Sequence, residues 1–192
     1  MPTAPVSMSA DELLVYDAHH RRTELVLGQL VVREPAGGDH AAVLIQLATA
    51  LELFVRSTSP RIGRVLGGDP GFWLAQNPDT VRAPDLAFVR HDRLPDGPGP
   101  GFLRTVPDLV VEIRSPSDRA GAVLQKVGDW LEAGSSLVWV VDPSRQAAQM
   151  YHADGSVDLL ENGDALDGAP VLTGLRVPLE SLWQMDVRAN AT

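Results

Sequence analysis

The stretch from 108 to 141 constrains the fold of this chain more than any other. It opens with Asp-Leu-Val-Val-Glu-Ile at 108–113, an apolar run broken by one carboxylate, as in a strand covered on both faces. Ser-Pro-Ser-Asp at 115–118 is expected to start a helix that buries Ala120, Val123, Leu124, Val127, Trp130 and Leu131, with Gly134 as its stop. A second apolar strand, Leu-Val-Trp-Val-Val at 137–141, is closed by Asp142-Pro143. Strand, helix and strand in that order read as a parallel crossover, which is normally right-handed. The chain is therefore expected to be α/β.

The remaining segments fit around that unit. Ser-Ala-Asp-Glu at 9–12 has the form of a capping box, predicting a short helix over 10–18. Two β-rich runs, 23–28 and 30–34, hinge at Gly28 as a hairpin. Val43, Leu44, Leu47, Leu51, Phe54 and Val55 recur at helical spacing over 40–57, after a loop at 35–38 and a capping Asp39. Short strands are expected near 62–66 and 71–74, and a stronger one over 81–89. The proline- and glycine-rich stretch 92–101 reads as a surface loop. The tail turns β-rich at 147–152, 157–161 and 174–178, before a short helix ending near Trp183. This gives a mixed central sheet flanked by helices, with a β-rich C-terminal extension and no internal repeat.

Composition excludes several classes of chemistry. With no cysteines, disulfides, thiolate metal sites and a cysteine nucleophile are ruled out, which fits a reducing compartment. The first ten residues lack the basic start and apolar stretch of a secretory leader. No apolar run is expected to approach the roughly 20 residues needed to cross a bilayer, so a cytoplasmic location is the expectation. The five histidines have no zinc-site spacing, and no phosphate-cradling glycine loop or serine elbow is present. The net charge of −9 opposes nucleic-acid binding unless basic residues cluster. Arginines gather at Arg61 and Arg64, Arg90 and Arg93, and Arg114 and Arg119.

Asp85 and Glu112 are the informative pair. Asp85 follows Pro84 at the head of a strand, and Glu112 lies among Val110, Val111 and Ile113. A carboxylate in such surroundings needs a partner or a metal, because desolvating it alone is costly. The side-chain period of two puts Asp108, Val110, Glu112 and Arg114 on one strand face. On neighbouring strands Asp85 and Glu112 would converge on one hard cation such as Mg²⁺, with Lys126 or Arg114 balancing charge. The structural readings are that Arg114 pairs with Glu112 or Asp118, and that Asp85 caps a turn. Lys126 stands at the flank of the helix's buried face. Glu24 reads as a solvated edge-strand acid, and His40 as a cap or surface residue before a site residue.

Taken together these segments resemble the Uma-two-like restriction endonuclease family, within the restriction-endonuclease-like, or PD-(D/E)xK, nuclease superfamily. The likeness runs from Ser9 to Trp183. It rests on Arg-Arg-Thr-Glu-Leu-Val-Leu-Gly at 21–28, Arg-Ala-Pro-Asp-Leu-Ala-Phe-Val at 82–89 and Pro-Asp-Leu-Val-Val-Glu-Ile-Arg-Ser-Pro-Ser at 107–117. Lys126, Glu-Ala-Gly at 132–134 and Val-Trp-Val-Val-Asp-Pro at 138–143 complete it. The resemblance implies one domain over 1–192, with Asp85, Glu112 and the Ile113 carbonyl as metal ligands and Glu24 as an acid from an early element. It implies that the lysine expected two residues after Glu112, where Arg114 stands, has moved to Lys126. Gly28-Gln29 departs from the family's usual Gly-Glu, and Trp130 takes the place of the helix aromatic.

The resulting expectation is an endonuclease hydrolysing DNA phosphodiester bonds with Mg²⁺ or Mn²⁺. The alternative is a catalytically inactive interaction or nucleic-acid-binding module on the same fold, favoured by the acidic charge and Arg114. A β-rich small-molecule binder is the third reading and would show an apolar pocket. A double-strand cutter would act as a homodimer, for which Phe102 and Trp183 are interface candidates.

Overall fold

A computed structural model describes residues 7–17 and 22–184. Residues 1–6, read above for a leader, lie outside that description, as do Ala18, the expected end of the first helix, and Arg21 of the family-like stretch.

Local chemistry explains the first elements. In α1 (Ala10–Asp17) the capping box forms: Ser9 N donates to Glu12 Oε2 at 2.7 Å, and Glu12 N donates to Ser9 Oγ at 3.2 Å. Strands β1 (Thr23–Val26) and β2 (Gln29–Val32) pair antiparallel around Leu27 and Gly28. Both turn residues have positive φ, 49° and 76°, as a tight hairpin requires. Helix α2 (Gly38–Ser57) follows, then β3 (Gly63–Gly67), β4 (Phe72–Ala75) and β5 (Thr80–Arg82).

The strand expected over 81–89 is two strands. β5 ends at Arg82 and β6 (Leu86–Arg90) begins after Ala83-Pro84-Asp85. Pro84 has no N–H to give to a ladder, so the chain leaves one sheet and joins another there. β5 sits in a four-stranded antiparallel sheet of order β2-β1-β5-β4. β6 sits in a six-stranded mixed sheet with β7 (Leu109–Ile113), β8 (Leu137–Asp142), β9 (Ala147–His152) and β10 (Val157–Leu160), in order β10-β9-β8-β7-β6-β3. Only β7 and β8 run parallel, joined by α3 (Ala120–Ala133), as the crossover reading requires. The tail is less separate than expected, because β9 and β10 extend the main sheet. A two-stranded ribbon, β11 (Ala165–Asp167) and β12 (Arg176–Pro178), and the short α4 (Glu180–Trp183) end the description.

The two faces of the six-stranded sheet are covered by different helices. Val43, Leu47, Leu51 and Val55 of α2 pack on Leu86, Phe88, Leu109, Val111 and Trp139. Val127 and Trp130 of α3 pack on Ala87, Val110, Val138 and Val140. Alternation along β7 therefore sends Leu109, Val111 and Ile113 toward α2, and Val110 and Glu112 toward α3. Gly134 closes α3 in the left-handed conformation at φ 110°.

Several expectations change. By length and composition alone α2 is apolar enough to cross a bilayer, contrary to the reading of the sequence, but its Val43–Val55 stripe is packed in the core. Helix α3 starts at Ala120, because Ser115-Pro-Ser-Asp118 is spent on a turn in which Ser115 N donates to Asp118 Oδ2 at 2.8 Å. Ala120 and Leu124, placed on the buried face, are exposed. Phe102 and Trp183, read as exposed interface residues, are half-buried against the α1 and α2 cores respectively.

Candidate active site

Four chain segments meet where the four-stranded sheet abuts the six-stranded one. β1 brings Glu24, the β5–β6 hinge brings Arg82 and Asp85, β7 brings Glu112, and α3 brings Lys126. All five are buried, none more than 5% exposed.

Lys126 ties three segments together. Its Nζ donates to Glu112 Oε2 at 2.8 Å and to the Ala83 carbonyl at 2.7 Å, and lies 2.8 Å from Glu24 Oε1. An ammonium has three donors, and each finds an oxygen here. The other oxygen of Glu112 accepts Trp130 Nε1–H at 2.8 Å, one helical turn beyond Lys126. Glu24 accepts Arg82 Nη1 at 2.8 Å and the Ala83 N–H at 3.2 Å, and Arg82 reaches on to Asp129 through Nε at 2.7 Å.

Asp85 stands beside this group with its own partners. Oδ2 accepts the Ile113 N–H at 2.6 Å. Oδ1 accepts Arg22 Nη2 at 2.9 Å and lies 3.1 Å from His40 Nε2. Arg22 is held in turn by Asp69, through Nε at 2.6 Å.

The three acids do not titrate alike. Burial pushes the Glu24 carboxyl up, but Lys126, Arg33 and Arg82 outweigh it and hold it at about 2. Burial raises Asp85 too, and the His40 hydrogen bond and charge, Lys126 and the Ile113 N–H bring it down to about 2. At Glu112 burial wins: Lys126 opposes it, but the Asp85 and Glu24 charges add to it, and the carboxyl is pushed up to about 7. A carboxyl poised near neutrality between two ionised neighbours is a common functional-site signature.

These residues line a cavity of about 760 Å³. Arg22, Arg33, Arg82, Arg114, Arg119 and Lys126, six of the chain's 16 basic residues, lie along it with five carboxylates. Six basic residues against five carboxylates leave the cavity close to balanced in a chain of net −9. Of the three arginine pairs noted in the sequence, Arg114 and Arg119 belong here, whereas Arg61 is taken by Glu52 on the far end of α2.

The site residues expected from sequence are distributed as follows. Glu24, Glu112 and Lys126 are in direct contact, and Asp85 is adjacent, within electrostatic reach of Glu112. Ile113 enters through its N–H, which binds Asp85. Arg114 turns away: Nη1 pairs with Asp142 at 2.8 Å, so neither Glu112 nor the Asp118 carboxylate is its partner. Glu24 is no solvated edge residue, since β1 is flanked by β2 and by β5. His40 is no surface residue either, being 6% exposed and against Asp85. Arg82, Asp129, Arg22 and Arg33 were missed. The 126, 129, 130 spacing puts Lys126, Asp129 and Trp130 on one helix face, a signal that could have found Asp129. Arg22, Arg33 and Arg82 left no comparable pattern.

Hard-oxygen chemistry is available for a divalent cation, because Asp85 and Glu112 both line the cavity. Their oxygens are nonetheless engaged by protein donors. Among the described residues no group of three or more His, Asp or Glu side chains is arranged to hold a metal ion. A cation at this place would exchange with Arg22, a quarter exposed, on Asp85 Oδ1.

A mixed sheet flanked by helices, with buried acids and a lysine meeting in one cavity, defines a nuclease-like α/β protein. The same fold occurs in a solved structure from Anabaena variabilis, titled as a putative nuclease belonging to DUF820. That structure matches with a TM-score of 0.74 at 20% identity, over 92% of this chain and 97% of that one. Over residues 10–180 the chain matches the model of the Uma2 family, described as "Putative restriction endonuclease", and it belongs to that family. No curated protein matches it.

Proposed function

We propose that this protein is a divalent-metal-dependent endonuclease that hydrolyses DNA phosphodiester bonds at Glu24, Asp85, Glu112 and Lys126. The observation that carries the reading is Lys126, buried and bridging Glu24 and Glu112 beside Asp85 in a cavity rich in arginine. Buried, fully engaged charges of this kind are costly to keep for stability alone.

Mg²⁺ or Mn²⁺ would be held by Asp85 and Glu112, with the Ile113 carbonyl as a third donor. When bound, the metal supplies a polarised water and neutralises charge on the phosphodiester. The rest falls to the chain. Arg22 and Arg33, each about a quarter exposed, draw a phosphate toward the acids. Asp85 stays ionised across the neutral range and fixes the local negative charge. Lys126 Nζ would stabilise the negative charge that develops on the phosphoryl oxygens, through its field, since its three protons are held by Glu112, Glu24 and the Ala83 carbonyl. Glu24, ionised and anchored by Arg82, holds Lys126 in place.

A second reading, an inactive binding module on the same fold, draws support from the protein donors already on both Asp85 oxygens and both Glu112 oxygens. Nicking of supercoiled plasmid with Mg²⁺ or Mn²⁺ separates the two. The nuclease reading expects wild-type activity that Asp85→Ala and Glu112→Ala each reduce by at least about a hundredfold while folding persists. Absence of activity with every metal would favour the module, or a substrate that plasmid DNA does not represent, and activity surviving both substitutions would refute this site.

A further inference from the structure

The cavity over the acidic centre is layered. Its floor holds Glu24, Asp85, Glu112 and Lys126, none more than 5% exposed, so these groups lie below the protein surface. Arg22 and Arg33 are partly open to solvent, and Arg119 is exposed. Apolar side chains complete the lining: Val31 and Pro35 come from β2 and the loop after it, Pro116 and Val123 from the segment that leads into α3. Val31 stands opposite Glu24 in the β1–β2 register and therefore shares its face of the sheet.

Double-stranded DNA is poorly matched to such a site. Its phosphates lie on the outside of a stiff cylinder, with a persistence length of about 150 base pairs, and its bases are stacked away from any wall. The cavity, at about 760 Å³, lies within the roughly 300–1,000 Å³ of pockets that engulf one small organic molecule. Charge gives the same answer. Outside the cavity Arg56, Arg61, Arg90, Arg93, Arg145 and Arg176 each pair with a carboxylate, and Arg104 lies over the Trp73 ring. Among the described residues, therefore, no free basic track follows the backbone of a duplex.

We propose that the site takes DNA as an unpaired strand, with a nucleotide out of the stack inside the cavity. The proposal rests on the nucleic-acid reading above and names the form of its substrate. An unpaired strand bends sharply enough to bring a phosphate down toward the buried acids, where Arg22 and Arg33 meet it. Its base, no longer stacked, gains apolar cover from Val31 and Pro116 in place of its lost neighbours. Glu34, an exposed carboxylate lining the same cavity, opposes the strand.

Fluorescence anisotropy of the whole protein with labelled oligothymidylate, and separately with a labelled blunt hairpin duplex, tests this with chelator present. The single strand should bind at least about tenfold more tightly than the hairpin. With three guanidiniums available, log affinity should fall against log salt with a slope no steeper than about −2. Val31→Ser, a change at a residue already 36% exposed, should keep its Tm and weaken the single strand about fivefold while leaving the hairpin unchanged. Glu34→Gln should strengthen the single strand. Because chelator prevents cleavage, the result is independent of catalysis: an inactive protein with this preference fails the nuclease reading and upholds the unpaired strand. Equal or tighter binding of the hairpin would overturn the proposal even if plasmid is nicked, as would single-strand affinity unchanged in Val31→Ser. Tighter binding of the matching RNA strand would overturn the assignment to DNA. Absence of binding to either DNA form would overturn the proposal together with the nucleic-acid reading.

Discussion

Glu112 concentrates the conflict at the centre of this molecule. Two donors, Lys126 and Trp130, favour its ionised form, yet burial and two neighbouring carboxylates raise it to about 7. The folded state thus holds a proton that the unfolded chain releases near the ordinary glutamate value of 4.5. Its contribution to stability is fully present below pH 4.5 and is lost as pH rises through about 7. In chelator, the Tm of Glu112→Gln minus that of wild type should therefore increase from pH 5 to pH 8. A difference that is flat or falls over that range would show that Lys126 keeps the carboxyl ionised throughout. Asp85 and Glu24 have the opposite sign: each stabilises above its unfolded value and loses that contribution as pH falls toward 2. The carboxylate inside an apolar run was legible because it breaks a rule of burial. His40 was not, and Glu24 was legible only through the family resemblance, since a four-residue strand and a helix's first turn look the same whether water or a second sheet covers them.

The elements carry these side chains by means of periodicity. β7 alternates between two covered faces, and its single acid falls on the α3 side, where Lys126 and Trp130 wait one helical turn apart. Helix α2 does the complementary work, burying Val43, Leu47, Leu51 and Val55 on the opposite face. Leu47 is fully buried, so Leu47→Ala should cost about 2–5 kcal/mol by loss of contacts and the cavity left behind. Urea denaturation measures this, and a cost below about 1 kcal/mol would mean that the α2 layer relaxes freely. Long periodic elements such as α2, β7 and α3 could be read from the chain directly. The division of 81–89 could not, because strand-forming residues lie on both sides of Pro84 and only the partner strands reveal that they serve two sheets.

At the scale of the whole molecule, charge is distributed unevenly: a chain of net −9 lines its cavity with six basic residues. The count of charges can be read along the chain but their placement cannot, since the contributing segments lie between positions 22 and 126. That placement depends on one short stretch. Ala83-Pro84-Asp85 is where the chain passes from one sheet to the other, and all three residues are buried. The Ala83 carbonyl holds Lys126, the Ala83 N–H holds Glu24, and the Asp85 carboxylate holds Ile113. Tolerance to changes in length must therefore differ sharply along the gene. One alanine inserted between Gly99 and Pro100, in an exposed loop, should leave Tm and plasmid nicking near wild type. The same insertion between Ala83 and Pro84 puts the two sheets out of phase by a residue and separates Asp85 from the lysine. Tm should then fall steeply and nicking should vanish. Equal tolerance at both places would mean that the sheets adjust independently. Natural length variation should accordingly collect in 92–101 and spare the three-residue passage, which works as the molecule's fixed gauge.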